Sequence, residues 1–352
     1  MIAIVIAVAG FASTKWPVTR ALGVGILRLQ ATRDRIGKDR LRILGQAGLA
    51  VWFAGLTYGR ISQFVRANFP LGQDIRIYYR GVAQWLHGGD PWSANVAVGK
   101  HVVFYYAGSP ATTVLLAPSA LLSEDQFTVL WLGLTALSAL AIIRWFRLPL
   151  WWLLFPPTAE ALYSGNPQIV VLLLLLLGAG KAGVLADTVS VALKVYAVIP
   201  LIGERRLRRV GLALALTVAT FIVAPSLWIE YLGQFGAISA RLAQESVNGY
   251  SAFYYPLLLI PTAIAIALLW RRDPKAAAWL AVPALWPASE FHYSTFAMPV
   301  MTPLLAVLLA VPIQRLAPFV IMLYVFWRFA SEPVQGRLRA WAALASVGRT
   351  TS

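Results

Sequence analysis

The stretch from Gly72 to Trp92, "GQDIRIYYRGVAQWLHGGDPW", is the densest group of chargeable side chains between two apolar parts of the chain. Its apolar and aromatic residues recur at helical spacing, which predicts an amphipathic helix. The apolar face carries Ile75, Tyr78, Tyr79, Val82, Trp85 and Leu86, and the opposite face carries Arg76, Arg80, Gln84 and His87. Aromatic residues opposite arginines are typical of a helix that lies at a membrane surface.

A carboxylate stands near each end of this helix. Asp74, just before it, has two interpretations: it could accept a proton as a general base, or it could only cap the helix, since Asp is a favoured N-cap residue. Gly88 and Gly89 predict the end of the helix, and Asp90 with Pro91 predicts a turn. Asp90 is therefore the alternate carboxylate, with a structural interpretation of its own. The two arginines could bind an anionic substrate or anchor the helix to lipid head groups.

Further ionisable residues interrupt apolar runs elsewhere. Lys194 lies in the middle of "VALKVYAV", and such a residue is costly in a membrane unless it lines a cavity or pairs with another charge. Asp187 lies on the same predicted helical face, so an ion pair with Lys194 is the alternative. Glu290 and His292 lie together after another apolar run. Glu160 interrupts "PPTAEALYSG", and the sequence assigns it no role.

The composition indicates the class of protein. Of 352 residues, 59% are hydrophobic and only 12% are charged, whereas roughly a quarter are charged in soluble domains. Apolar runs approach the ~20 residues that cross a bilayer as a helix. The chain is thus predicted to be an all-α polytopic membrane protein.

The net charge of +16 does not indicate a nucleic-acid partner. The basic residues form short clusters between apolar runs, as cytoplasmic loops do, and no nucleic-acid-binding motif accompanies them. The absence of cysteine excludes disulfides and thiolate chemistry. The three histidines have no metal-ligand spacing, so no metal is expected.

Hydropathy predicts about eleven spans. They cover residues 43–61, 108–123, 126–143, 148–163, 167–180, 184–202, 210–228, 253–270, 276–292, 295–311 and 316–330. Lys and Arg clusters at 15–42, 204–209 and 271–275 are predicted to be cytoplasmic, which puts the long connections 62–107 and 229–252 outside.

The remaining segments follow from this arrangement. Residues 1–42 would form a basic cytoplasmic segment whose apolar start could lie at the interface or form part of a span. Residues 43–330 would form the transmembrane domain, and 331–352 a polar tail. "GNPQ" (165–168) would be a cytoplasmic turn between the fourth and fifth spans.

The motif residues resemble a known signature. Gly72, Asp74, the pair Tyr78–Tyr79 and the turn from Gly88 to Trp92 are similar to the pattern of glycosyltransferase family 87, polyprenol-phosphate-dependent mannosyltransferases of the GT-C fold. Segments 104–122, 165–177, 192–202 and 286–299 are similar to its later motifs, in order. The later segments depart from the family pattern in three places: Asn166 and Gln168 are exchanged, Ala197 replaces a proline, and Tyr293 replaces a second histidine.

This resemblance implies a GT-C-type bundle with the amphipathic helix in its first outer loop. It implies inverting transfer of a hexose, mannose being expected, from a polyprenyl-phosphate sugar to a glycolipid or lipid-linked acceptor. The reaction would occur at the extracytoplasmic face of the cell membrane, with no cofactor, because Arg and Lys can hold a monophosphate.

The resemblance also implies roles for individual residues. Asp74 would be the general base and His292 would donate to a phosphate or sugar oxygen. The residues expected to bind substrate or phosphate are Arg76, Tyr78, Tyr79, Arg80, Lys194 and Glu290. Two alternatives have the same composition: a lipid or solute transporter or flippase without transferase activity, and a purely structural subunit. Transporters often contain internal repeats, and none is visible here.

Overall fold

A computed structural model describes residues 38–98, 102–180, 183–246 and 250–329, and it is mostly helical, which confirms the all-α class. The α-helices are α1 (Lys38–Arg66), α2 (Gln73–Leu86), α3 (Pro110–Leu116), α4 (Glu124–Trp145), α5 (Pro156–Ser164), α6 (Gln168–Gly178), α7 (Gly183–Leu193), α8 (Val198–Gly203), α9 (Leu207–Val223), α10 (Pro225–Ser246), α11 (Pro256–Arg272), α12 (Pro274–Leu285), α13 (Pro303–Leu309) and α14 (Leu316–Phe329). Most of the predicted 1–42 segment and the 331–352 tail lie outside the described residues.

Short 3₁₀ helices connect several of these elements, at Pro91–Ser93, Ala117–Leu121, Leu150–Leu154, Val195–Ala197 and Phe291–Val300. One hairpin departs from the all-helical expectation. Its strands, β1 (Asn95–Val98) and β2 (Val102–Tyr105), pair antiparallel with Asn95 opposite Tyr105. The hairpin follows α2 in the first predicted outer loop.

Prolines divide the apolar runs into shorter helices than hydropathy predicts. Six helices (α3, α5, α10, α11, α12 and α13) begin at a proline, whose fixed φ and missing N–H suit the first helical position. The predicted span 295–311 is accordingly a 3₁₀ segment followed by the short helix α13. Most of the predicted connection 229–252 is helical, because α10 continues to Ser246.

Within the described residues, α4 alone is long and apolar enough to cross a membrane by itself. Two further crossings are possible if each of two bent helix pairs counts as one span: α5 with α6, bent by 112°, and α9 with α10, bent by 109°. The count of eleven spans is therefore not confirmed. A capping box at Ser123 and Gln126 fixes the start of α4.

The core packs α2 and the segment Phe291–Val300 against the helices around them. Ile75, Val82, Trp92 and Phe296 are fully buried. The predicted helix in the first loop is confirmed as α2. On its predicted apolar face Ile75, Tyr78 and Val82 are buried, Tyr79 and Trp85 are partly buried, and Leu86 is half exposed.

Candidate functional site

The start of α2 is held in place by a glycine. Gly72 has a φ of +73°, which side-chain-bearing residues rarely adopt. Its N–H donates to the carbonyl of Tyr163 at 2.8 Å, and a Cβ added there would lie 2.5 Å from Cγ2 of Thr128. The backbone of Gly72 therefore docks directly against α4 and α5, which brings Asp74 next to the end of α5.

The two carboxylates of the motif have different roles. The N-cap of α2 is Gly72, and the cap makes no side-chain hydrogen bond, so the interpretation of Asp74 as a cap is wrong. The Oδ2 atom of Asp74 instead accepts a hydrogen bond from Nδ2 of Asn166 at 2.8 Å. Asp90 does cap a helix, because its Oδ1 accepts from the backbone N–H of Trp92 at 2.9 Å. The predicted turn at Asp90 is thereby confirmed.

The break between α5 and α6 connects Asp74 to the segment around His292. Gly165 ends α5 with a φ of +70°, and Asn166 and Gln168 follow. Nε2 of Gln168 donates to the carbonyl of His292 at 2.5 Å. Residues 165–168 do form the predicted turn between two helices, but the prediction that this turn lies on the side opposite Asp74 is wrong, because Asn166 contacts Asp74. Both α5 and α6 are too short to cross a membrane singly, and together they form a pair bent by 112°.

A cavity of about 270 Å³ lies at this junction. Three carboxylates line it, those of Asp74, Glu160 and Glu290, together with His292 and the guanidinium of Arg60. Its aromatic wall consists of Phe64, Phe69, Phe104 and Tyr163. Ligand cavities for drug-sized molecules are about 300–1,000 Å³, so this one suits a small polar ligand.

An ionic network crosses the cavity wall. Glu160 is only 2% exposed. Its Oε2 accepts from Nε of Arg60 at 2.5 Å, and its Oε1 lies 3.2 Å from Nδ1 of His292. The same Nδ1 lies 3.6 Å from Oε2 of Glu290. The structure thus brings together three residues predicted for the site, Asp74, Glu290 and His292.

Sequence reasoning missed Arg60 and assigned no role to Glu160. Their partners lie 100 and 132 residues away along the chain, so no local spacing could show the pairing. The one available signal was that Glu160 interrupts an apolar stretch, where a charged residue usually has a partner.

Arg76 and Arg80 are not brought to the cavity. Both donate to the carboxylate of Glu124 at 2.9 Å, and Arg76 also pairs with Asp125 at 2.8 Å. Partial burial alone would lower the pKa of Arg76, but its bonds to these carboxylates raise it overall, so Arg76 stays charged. Arg76 and Arg80 were expected to bind substrate or phosphate, but neither lines the cavity that contains Asp74, because Glu124 holds both of them elsewhere.

The two tyrosines predicted for the site make different contacts. The hydroxyl of Tyr79 donates to the carbonyl of Leu122 at 2.8 Å, which anchors α2 to the start of α4. Tyr78 lies one turn after Asp74, and its ring packs edge-on against Tyr106 with 5.4 Å between centroids. Lys194 also lies over the Tyr78 ring.

Lys194 lies beside the face of α2 that carries Asp74. Its Nζ is 5.2 Å from the centroid of the Tyr78 ring, and it interacts electrostatically with Glu290. The alternative ion pair with Asp187 is wrong, since the fully buried Asp187 pairs with Arg206 at 2.9 Å and Arg209 at 3.2 Å.

Comparison with known proteins adds no family to this description: no family model, no curated protein and no solved structure matches the chain. The resemblance to glycosyltransferase family 87 consequently depends on the motif residues alone.

Proposed function

We propose that this chain is a membrane glycosyltransferase of the GT-C type that uses Asp74 as its general base. The observation that carries the proposal is the placement of the Asp74 carboxylate. It caps no helix, it lines a cavity of about 270 Å³, and Asn166 holds one of its oxygens. A carboxylate in such a position can take a proton from a ligand in the cavity.

The lining of the cavity is consistent with a sugar ligand. Its carboxylates and amides can hydrogen-bond to hydroxyl groups, and its aromatic wall can pack against the apolar face of a sugar ring. Lys194 lies beside the same face of α2 and is the cation proposed to stabilise the phosphate of the donor. His292 and Glu290 complete the proposed set.

The proposed reaction is a direct displacement. Asp74 accepts the proton of the acceptor hydroxyl as the hydroxyl oxygen forms a bond to the anomeric carbon. The bond from that carbon to the phosphate oxygen breaks, and polyprenyl phosphate leaves with the electron pair. One displacement inverts the anomeric centre, so no enzyme nucleophile is needed.

The rest of the proposal follows the motif resemblance. The chain would be an integral, multi-pass protein of the cell membrane, and its cavity would be extracytoplasmic. The donor would be a polyprenyl-phosphate hexose, mannose being expected, and the acceptor a glycolipid or lipid-linked glycan. No nucleic-acid partner is proposed.

A direct experiment tests the class of reaction. Purified protein is incubated with a panel of polyprenyl-phosphate sugars and a membrane glycolipid extract, and donor consumption is followed by chromatography. Consumption of one donor with release of polyprenyl phosphate is expected. Stable donors throughout the panel, with protein that remains folded, would contradict the proposal.

A transporter or flippase is the second candidate, and one observation favours it. The pair α5 and α6 is bent by 112° at a break that carries Asn166 and Gln168. Broken helices with polar groups at the break are typical binding sites of transporters. Flux of a polyprenyl-phosphate sugar across proteoliposomes, without any sugar transfer, would favour this candidate over the enzyme.

A further inference from the structure

Three side chains of the cavity wall present potential metal ligands to one another. They are Oε1 of Glu160, Oε2 of Glu290 and Nδ1 of His292, and all lie within 4.8 Å of one another. We propose that Glu160, Glu290 and His292 bind a divalent cation of the Mn²⁺ or Zn²⁺ class. Carboxylate oxygens suit Mn²⁺, and a set that mixes them with imidazole also suits Zn²⁺.

Two of the three distances between the donor atoms fit a single ion directly, and the third, between the carboxylates of Glu160 and Glu290, is within 4.8 Å. An ion about 2.0–2.2 Å from each donor places neighbouring ligands roughly 3.0–3.6 Å apart in octahedral or tetrahedral geometry. Nδ1 of His292 is 3.2 Å from Oε1 of Glu160 and 3.6 Å from Oε2 of Glu290. A cation could therefore enter with only small side-chain shifts.

A separate observation indicates that the cavity holds a polar ligand. Gln73 lines the same cavity and is only 4% exposed, yet its Oε1 has no hydrogen-bond partner among the described residues. Buried polar atoms almost always have a partner. A water or hydroxyl group held by a bound ion would supply it.

The charge of the cavity explains why a cation would bind there. This argument rests on the proposed function, because it assumes a donor that carries a phosphate. Within the described lining, Asp74, Glu160 and Glu290 face a single guanidinium, that of Arg60. Lys194 lies beside this lining and not within it, so the lining itself carries more negative than positive charge and would repel the phosphate of a polyprenyl-phosphate donor. Arg76 and Arg80 do not offset this charge, because Glu124 binds both. A divalent cation would neutralise the two glutamates and attract the phosphate.

Direct binding of Mn²⁺ tests the site without any assay of transfer. The full chain in detergent is stripped with EDTA, dialysed and titrated with Mn²⁺, and electron paramagnetic resonance measures the free ion. One tightly bound Mn²⁺ per chain, displaced by Zn²⁺, is expected. Binding should also raise the melting temperature, since a ligand of the native state stabilises it.

Two carboxylate-to-amide variants provide the matched comparison. Glu290→Gln removes a proposed ligand whose side chain is 58% exposed, so the fold should persist while the affinity for Mn²⁺ falls at least about tenfold. Glu230→Gln removes an exposed carboxylate on α10, outside the cavity, and should bind as the wild type does. Equal affinity of Glu290→Gln and wild type, or no binding by wild type, would overturn the proposal and leave an ion network with Arg60.

The metal site and the proposed function can fail separately. Asp74→Asn keeps all three proposed ligands, so it should bind Mn²⁺ as tightly as the wild type while losing transfer. Mn²⁺ binding with no transfer from any donor would keep the metal site and contradict the proposed function. Transfer at a normal rate by protein that binds neither Mn²⁺ nor Zn²⁺ would contradict the metal site and leave the function standing.

Discussion

The hydrogen bond from Asn166 to Asp74 provides the sharpest test of how the site is organised. Asn166→Ala removes the donor that lies 2.8 Å from Oδ2 of Asp74. Asn166 is 7% exposed and Asp74 is half-buried, so water replaces the lost donor only in part. A hydrogen bond to a charged group contributes about 1.5–3 kcal/mol net.

This free energy sets the expected loss of activity. If the hydrogen bond serves to orient the carboxylate, its loss raises the activation free energy of transfer by its full value. About 1.4 kcal/mol of activation free energy corresponds to a factor of about ten in rate. Turnover of Asn166→Ala should therefore fall about 10- to 150-fold, while the KM for the donor changes little, because Asp74 itself remains.

The assay is initial-rate transfer from the polyprenyl-phosphate donor identified with the panel, with purified variants at matched concentration. Ser93→Ala is the control, since it removes a 2.8 Å hydrogen bond with Gln84 at the far end of α2. It should keep turnover within about twofold, as surface substitutions usually have small effects. Asn166→Ala with wild-type turnover would refute the idea that the break between α5 and α6 positions the base.

Three further predictions follow from the same structure. Gly72→Ala should lower the free energy of unfolding by about 2–4 kcal/mol, through the positive φ and the 2.5 Å approach to Thr128, and an unchanged thermal midpoint would contradict this account of how α2 docks. Lys194→Met should raise the KM for the donor and lower turnover in a protein that still folds, and normal kinetics would remove Lys194 from the phosphate site. The chain has no cysteine, so single cysteines report orientation. An impermeant thiol reagent should label Ala97→Cys in intact cells, and it should label Arg205→Cys only after the cells are opened. The reverse pattern would contradict the proposed orientation.

Local patterns predicted the part of the site that is local in the chain. The helical spacing and the pair Gly88–Gly89 were sufficient to predict α2, because an amphipathic helix follows from its own sequence. The order of the motifs associated Asp74 with Glu290 and His292, which the structure brings to one cavity.

The break between α5 and α6 could not be predicted from hydropathy. A 112° bend at residues 165–167 leaves both halves apolar, so a hydropathy profile gives two spans and the wrong side for Asn166. The network of Arg60, Glu160 and His292 depends on contacts over 100 or more residues. Local spacing could not indicate the proposed metal ligands either, since Glu160 and Glu290 are not neighbours in sequence.

The two aspartates of the motif, Asp74 and Asp90, differ in their structural roles. The carboxylate of Asp90 accepts a hydrogen bond from the N–H of Trp92, and an amide oxygen could do the same, since Asn is also a good cap. The carboxylate of Asp74 caps nothing. We therefore expect the two positions to respond differently to the same substitution.

Replacement of each motif aspartate by asparagine, followed by the rate of sugar transfer, tests the central claim most directly. Asparagine keeps the shape of aspartate and its hydrogen bond acceptor but cannot take a proton. Asp74→Asn should keep the expression level and the melting temperature, yet lose at least about 10²–10⁴-fold in turnover. Asp90→Asn should retain most of the rate. Near wild-type transfer by Asp74→Asn, together with an inactive but folded Asp90→Asn, would show that Asp74 is not the base.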